Sequence, residues 1–384
     1  MNTLDWLKKL VAFDTTSKLS NLALIAEVQN WFELHGIASH LIRDPAEPKA
    51  NLFATIPAAD GSTNAGIVLS GHTDVVPVDG QDWKTNPFEL VKNDDKVYGR
   101  GTCDMKGFVA VALALVPEFQ QMKLKQPVHV ALSYDEEIGC RGAPFMIAEM
   151  TRMGIKPTAC IVGEPTMMRP VVAHKGIQVY RCRVHGKAAH SSLTTQGCNA
   201  IDYAARLICH IREIAERIKH NGLKDPHFDV PFTTLTTNLI KGGIAYNIIP
   251  EFCEFILECR NLPEENPKQF EEQVEFFIRE ELLPKMLREF PQAQVDLIKL
   301  AAAPAFNSDH ESDFAKFMRQ LTGETDIRKV AYATEAGLFQ NASVPTIICG
   351  PGSIEQAHKP DEFVEVVQLE RCAEVLRRVV GSLA

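Results

Sequence analysis

Three short apolar runs each end on an acid or an imidazole: "AGIVLSGHTD" (65–74), "VHVALSYDEE" (128–137) and "ACIVGEP" (159–165). A short, continuously apolar run suits a strand buried on both faces, which needs a sheet covered by helices. The intervening stretches supply them. "NLALIAEVQNWFELHG" (21–36) has helical spacing and a Gly stop, and "MKGFVAVALALVPEF" (105–119) reads as a buried helix. The expectation is an α/β domain with a largely parallel sheet. In such sheets chemistry gathers beyond the carboxyl ends of the strands, and His72, Asp74, Glu136, Glu137 and Glu164 all fall there. Positions i and i+2 of a strand face the same way, so His72 and Asp74 would point into one space.

From about Ile177 the pattern changes. "IQVYRCRVHG" alternates as a half-exposed strand, and "GCNAIDYAARLICHIREIAERI" is an amphipathic helix. "FTTLTTNLI" and "IIPEFCEFILECR" read as strands around "KGGIAYN". A helix from Pro267 to about Arg288 and the strand "AQVDLIKLA" complete the set. The order β-α-β-β-α-β is that of a ferredoxin-like module, inserted into the larger domain. The mixed pattern resumes after about Ala303. The expected domains are thus 1–176 with 303–384, and an insert at 177–302; a chain of 384 residues suits about two domains.

Hydrophobic residues at 45% and charged residues at 23% fit a soluble globular protein. A formal charge of −9 argues against nucleic acid as a partner, since phosphate binding needs a basic face. No apolar run is long enough to cross a bilayer. "MNTLDWLKKLVAFDTTS" reads as an amphipathic helix without a signal peptide's apolar core. The ten cysteines are scattered and form no CxxC pair, which suits free thiols in a reducing cytoplasm. Cys103 and Cys140 lie near charged motifs, but neither has a neighbour placed to activate a thiolate.

Five segments carry acids or imidazoles at strand ends or turns: "GHTD" (His72, Asp74), "GTCDMKG" (Asp104), "DEE" (Asp135, Glu136, Glu137), "GEPT" (Glu164) and "QAHKP" (His358). Two imidazoles and several carboxylates from one sheet edge form the donor set of a divalent metal site. A pair of zinc ions sharing one carboxylate needs about five ligands, and catalysis adds a base. A serine hydrolase is excluded for want of GxSxG, and "GRGTCDMKG" lacks the phosphate-loop pattern.

"SGHTDVVPVDG", "VYGRGTCDMKG", "SYDEEIG" and "VGEPT" together resemble the M20 family of dinuclear zinc amidohydrolases and peptidases, and the resemblance runs over nearly the whole chain. It implies two zinc ions per subunit, for which cobalt can substitute. His72 and Glu164 would hold one ion, Glu137 and His358 the other, with Asp104 between them. Asp74 would hold the His72 ring by its free N–H, and Glu136 would be the general base. A cis peptide is implied after the bridging aspartate, here Asp104–Met105.

The resemblance also implies a homodimer made through the inserted domain, with a histidine lent across the interface. "HGKAAHSS" places His190 in that role, as hydrogen-bond donor to the oxyanion. Asn247 in "GGIAYNIIPE" and Arg260 in "ECRNLP" match substrate-binding positions, although Arg260 alone would read as a surface ion pair. Glutamate at position 164 resembles the deacylases and carboxypeptidases of the family more than its aminopeptidases. "VVAHKG", "YATEAGLF" and "CGPGSIEQAHKPDEFV" resemble one group of deacylases within the family, which implies as substrate a small N-acylated amino acid with a side-chain ammonium. The alternative, a desuccinylase of a diamino diacid, carries a "GGTSDGRF"-type segment that is absent here. Glu335 in "YATEAGLF" is the residue expected to face the ammonium. A non-catalytic relative would have lost ligands or the base, and this chain keeps all six residues.

Overall fold

The computed structural model describes all 384 residues. The chain forms two compact units: Met1–Ala173 with Phe306–Arg328 and Thr334–Ala384, and His174–Ala305 with Lys329–Ala333. These limits lie within a few residues of 176/177 and 302/303. The Lys329–Ala333 segment was expected in the larger unit. Its contacts explain the difference: Lys329 Nζ pairs with Asp225 Oδ2 at 2.6 Å, and the Ala331 carbonyl accepts from Arg260 Nη1 at 3.5 Å.

The first unit is built on a six-stranded sheet in the order 39–43, 50–56, 128–133, 67–72, 159–165, 346–350. The last four strands run parallel. Ser39–Arg43 and Ala50–Ile56 pair antiparallel with each other, and the latter also pairs antiparallel with Val128–Ser133. The sheet is therefore largely parallel, as expected, with an antiparallel pair at one side. The short link between the first two strands explains part of this, because a parallel crossover needs a dozen or more residues.

Every residue of Ile67–His72, Val128–Ser133 and Ala159–Pro165 is buried, the signature of strands covered on both faces. The helix Lys106–Gln121 packs on the sheet with eleven of its sixteen residues buried. Its Phe108 ring lies so close to Gly163 that a Cβ there would sit 2.0 Å from the ring. Only glycine allows that approach, and burying the ring contributes about 1.5–3 kcal/mol. This contact sets the helix, and the turn ahead of it, above the strand end that carries Glu164.

The second unit has the element order β-α-β-β-α-β: Gly176–His185, Ala200–Asn221, Thr234–Gly242, Phe252–Asn261, a helical stretch from Lys268 to Glu289, and Gln294–Ala303. Its four strands lie in the order 234–242, 252–261, 176–185, 294–303, all antiparallel. Strict alternation buries Tyr180, Cys182 and Val184 from one strand and Phe255, Leu257 and Cys259 from its neighbour. Ala200–Asn221 starts where the Asn199 side chain accepts from Ile201 N at 3.0 Å and Asp202 N at 3.3 Å. It buries Leu207, Ile211, Ile214 and Ile218 on one stripe. The second helical stretch contains a wider turn at Ile278–Leu282, just ahead of Pro284. A proline there cannot donate to an earlier carbonyl, so the regular ladder gives way.

No helix is long and apolar enough to cross a membrane. All ten cysteines are free.

Candidate metal centre

His72 is the last residue of its strand, and Glu164 stands near the end of the parallel neighbour. Glu136 and Glu137 follow Val128–Ser133, Asp104 sits in the turn before Lys106–Gln121, and His358 lies in the loop after Thr346–Gly350. Parallel strands end on the same edge, so residues far apart in sequence converge there.

His72 Nε2 lies 3.0 Å from Asp104 Oδ1 and 3.8 Å from Glu164 Oε1. His358 Nε2 lies 3.0 Å from Glu137 Oε2 and 3.4 Å from Asp104 Oδ2. The two oxygens of Asp104 thus face different imidazoles, the arrangement of a bridging ligand. Donor atoms of His72, Asp104 and Glu137 come within 4.8 Å of one another, as do those of His72, Glu136 and Glu164. The Asp104–Met105 peptide is cis.

The cluster is short of positive charge. Burial, then repulsion from neighbouring acids, pushes the carboxyls of Glu136 and Glu164 well above the ordinary range, and Glu137 to about 7. Burial works the same way on Asp104, but hydrogen bonds from His358 and His72 hold its carboxyl low. The imidazoles are pulled upward in return, His358 to about 10 through its bonds to Asp104 and Glu137. Asp104, Glu137 and Glu164 with two imidazoles, in a largely buried space and with Glu136 beside them, form the donor set of a divalent cation pair. The residues present fit such a pair.

The orienting contacts differ in detail from expectation. His72 Nδ1 lies 2.9 Å from the Asp74 carbonyl oxygen and 3.6 Å from its carboxylate, so the main chain holds the ring first. The Asp74 carboxylate instead accepts the backbone N–H of Glu136 at 3.1 Å and of Glu137 at 3.3 Å, and the Ser17 hydroxyl at 2.7 Å. Beside it, Lys49 Nζ donates to both oxygens of Asp135 at 2.8 and 2.6 Å and to the Ser17 carbonyl at 2.6 Å. Ser17 and Lys49 escaped sequence reading because neither belongs to a periodic pattern or a motif.

Glu335 is buried. It is 1% exposed, and its Oε2 accepts the Ser70 hydroxyl at 3.4 Å. Its Oε1 has no hydrogen-bond partner, and the residue stands ahead of the short helix Ala336–Asn341, as deeply buried as His72. Burial raises its carboxyl pKa.

Cys140 Sγ lies 3.4 Å from Glu136 Oε1, and Cys103 Sγ donates to the Ser353 carbonyl at 3.2 Å. Burial pushes both thiols well above their usual range, which disfavours the thiolate form.

His190, Asn247 and Arg260 belong to the second unit. His190 is exposed, and its Nδ1 accepts the backbone N–H of Ser192 at 3.2 Å. In the neutral ring the proton then sits on Nε2, free to donate outward. The Asn247 carbonyl accepts from Ser191 N at 3.0 Å. Arg260 Nε donates to Glu258 Oε1 at 2.8 Å, an ion pair on its own strand.

The description "Peptidase family M20/M25/M40" matches residues 68–382, and the chain belongs to that family. Among its relatives is an acetylornithine deacetylase of Proteus mirabilis, 34% identical over 372 residues, spanning 97% of this chain and 92% of the relative. One of the same name from Myxococcus xanthus is 34% identical over 378 residues, covering 98% and 96%. Among solved structures, an M20 metallo-carboxypeptidase from Sulfolobus solfataricus superposes with a TM-score of 0.78 at 16% identity, covering 100% of this chain and 99% of that one. A dinuclear metal-binding M20 peptidase from Bacillus subtilis gives 0.68 at 13%, covering 99% and 97%. These structures share the α/β fold.

Proposed function

We propose that the chain is a zinc-dependent acetylornithine deacetylase, which hydrolyses N2-acetyl-L-ornithine to L-ornithine and acetate in arginine biosynthesis. The observation that carries the chemistry is the placement of Asp104 between His72 and His358, with Glu136 beside them. The substrate reading rests on relatives of that name, similar over nearly the full length of both chains.

His72, Glu164, Asp104, Glu137 and His358 would hold two divalent ions, which when bound polarise the amide carbonyl and lower the pKa of water. Glu136 takes a proton from the attacking water as its oxygen adds to the acetyl carbon. The same carboxyl then returns the proton to the leaving nitrogen as the C–N bond breaks. Asp74 fixes the backbone of Glu136 and Glu137 so that the base keeps its place. His190 donates from Nε2 to the oxyanion. Asn247 and Arg260 bind the substrate, Arg260 by matching its planar fork to the α-carboxylate.

The second unit is a ferredoxin-like dimerisation domain, and the enzyme works as a homodimer in the cytoplasm. Supporting this, the edge strand Thr234–Gly242 exposes Leu239 and Ile240, and the hairpin beyond it leaves Ile244 88% and Tyr246 100% exposed. An edge strand with apolar neighbours is a surface built to pair.

Side-by-side assay of N2-acetyl-L-ornithine and N-succinyl-diaminopimelate tests the substrate reading. Acetylornithine should turn over with a far higher kcat/KM. Preference for the succinyl substrate would assign the chain to the desuccinylases.

A further inference from the structure

Glu362 lies four residues beyond His358 and is 1% exposed. Its carboxylate gathers four donors. Oε2 accepts the Gly101 backbone N–H at 3.0 Å and Arg100 Nη1 at 2.7 Å; Oε1 accepts the backbone N–H of Cys103 at 2.9 Å and of Asp104 at 3.1 Å. The turn that presents Asp104 is thus wrapped around one side chain from the His358 loop. Arg100, also 1% exposed, closes the arrangement from the other side. Its Nη1 donates to the Lys359 carbonyl at 3.2 Å, and its Nη2 reaches Gln81 Oε1 at 2.5 Å. Gln81 Nε2 in turn donates to the His358 carbonyl at 2.8 Å. His358 itself has φ of 64°, a left-handed conformation that a residue with a side chain adopts only when its surroundings hold it there.

We propose that Glu362, with Arg100 and Gln81, is a positioning cluster that sets the spacing between Asp104 and His358, and through it the metal affinity of the half-site they share with Glu137. This rests on the two-metal reading above. Both oxygens of Glu362 are fully committed, so it acts through the ligands and does not coordinate. Its chemistry is specific to a carboxylate. Each oxygen accepts two donors, so a carboxamide would turn an N–H₂ against two of them. Asp104 serves both ions but His358 only one, so the damage should fall mainly on one equivalent of metal.

Zinc affinities of the chelated full-length protein, measured by competition against a chromophoric chelator, test this. Glu362→Gln should weaken one of two zinc equivalents by about 10–100-fold, the usual scale for outer partners of metal ligands. Gln81→Ala, at a partly exposed position, should weaken the same equivalent by a smaller factor. Glu324→Gln, which removes a remote ion pair with Arg169 and Arg328, should leave both affinities unchanged while lowering stability. Two equivalents of parental affinity in Gln81→Ala and in any folded Glu362→Gln would overturn the inference alone. A parent that takes up fewer than two equivalents would overturn the two-metal reading, and this inference with it.

Discussion

The backbone N–H of Glu136 donates to Asp74 Oδ1 at 3.1 Å, while the other oxygen of Asp74 accepts from Glu137 N at 3.3 Å. One buried carboxylate therefore places both the proposed base and the ligand beside it. Asn in its place has a single acceptor oxygen, and its N–H₂ would face one of these donors. Asp74→Asn should cost about 10–100-fold in activity or metal affinity. Ser17→Ala, which removes one donor to the same carboxylate, should cost less. Kinetics with elemental analysis of each variant would check the order.

Glu136→Gln separates base from ligand. The Glu136 carboxylate stands within 4.8 Å of donor atoms of His72 and Glu164. The variant should keep its zinc and lose about 10²–10⁴ in kcat. Loss of metal would make Glu136 a ligand and send the search for the base elsewhere.

If His190 serves the active site of the partner subunit, two inactive variants should complement each other. His190→Ala should lose up to about 10²–10³ in kcat. Mixing it with Glu136→Gln under conditions of shown subunit exchange should restore part of the activity. No recovery would place the oxyanion donor within one chain.

Glu324 offers a pH test remote from the metal centre. Its hydrogen bond from Arg169 holds its carboxyl down at about 2, against burial, with help from the Asp326 backbone and Arg328. Because the folded pKa is depressed, this stabilisation is present above the unfolded value of about 4.3 and disappears as pH falls toward 2. Glu324→Gln should therefore lower stability at pH 7 by about 1–3 kcal/mol. The gap from the parent in denaturant melts should close between about pH 4 and 2. A gap constant with pH would assign the loss to packing.

Much of the first unit was legible because strands buried on both faces leave unbroken apolar runs, and their ends carry His72, Glu136 and Glu164. The second unit was legible from period-two alternation, as in Gly176–His185. Pairing direction was not, because it depends on link length and on partners remote in sequence, so the antiparallel pairing at one side of the sheet was not foreseen. The orienting side chains were hidden for a related reason. Glu362 and Asp74 act on backbone N–H groups, which leave no mark on the identity of the residues they hold. The depth of Glu335 was not legible either, because composition does not reveal it, and the fold buries the residue against Ser70.

The most direct measurement is acetylornithine hydrolysis followed through metal removal and return, with metal content determined at each step. Chelation should abolish turnover, and zinc should restore it in step with the filling of two sites per chain, because water is a competent nucleophile near neutral pH only when metal lowers its pKa. Full activity in protein verified to be free of metal would contradict the proposed chemistry.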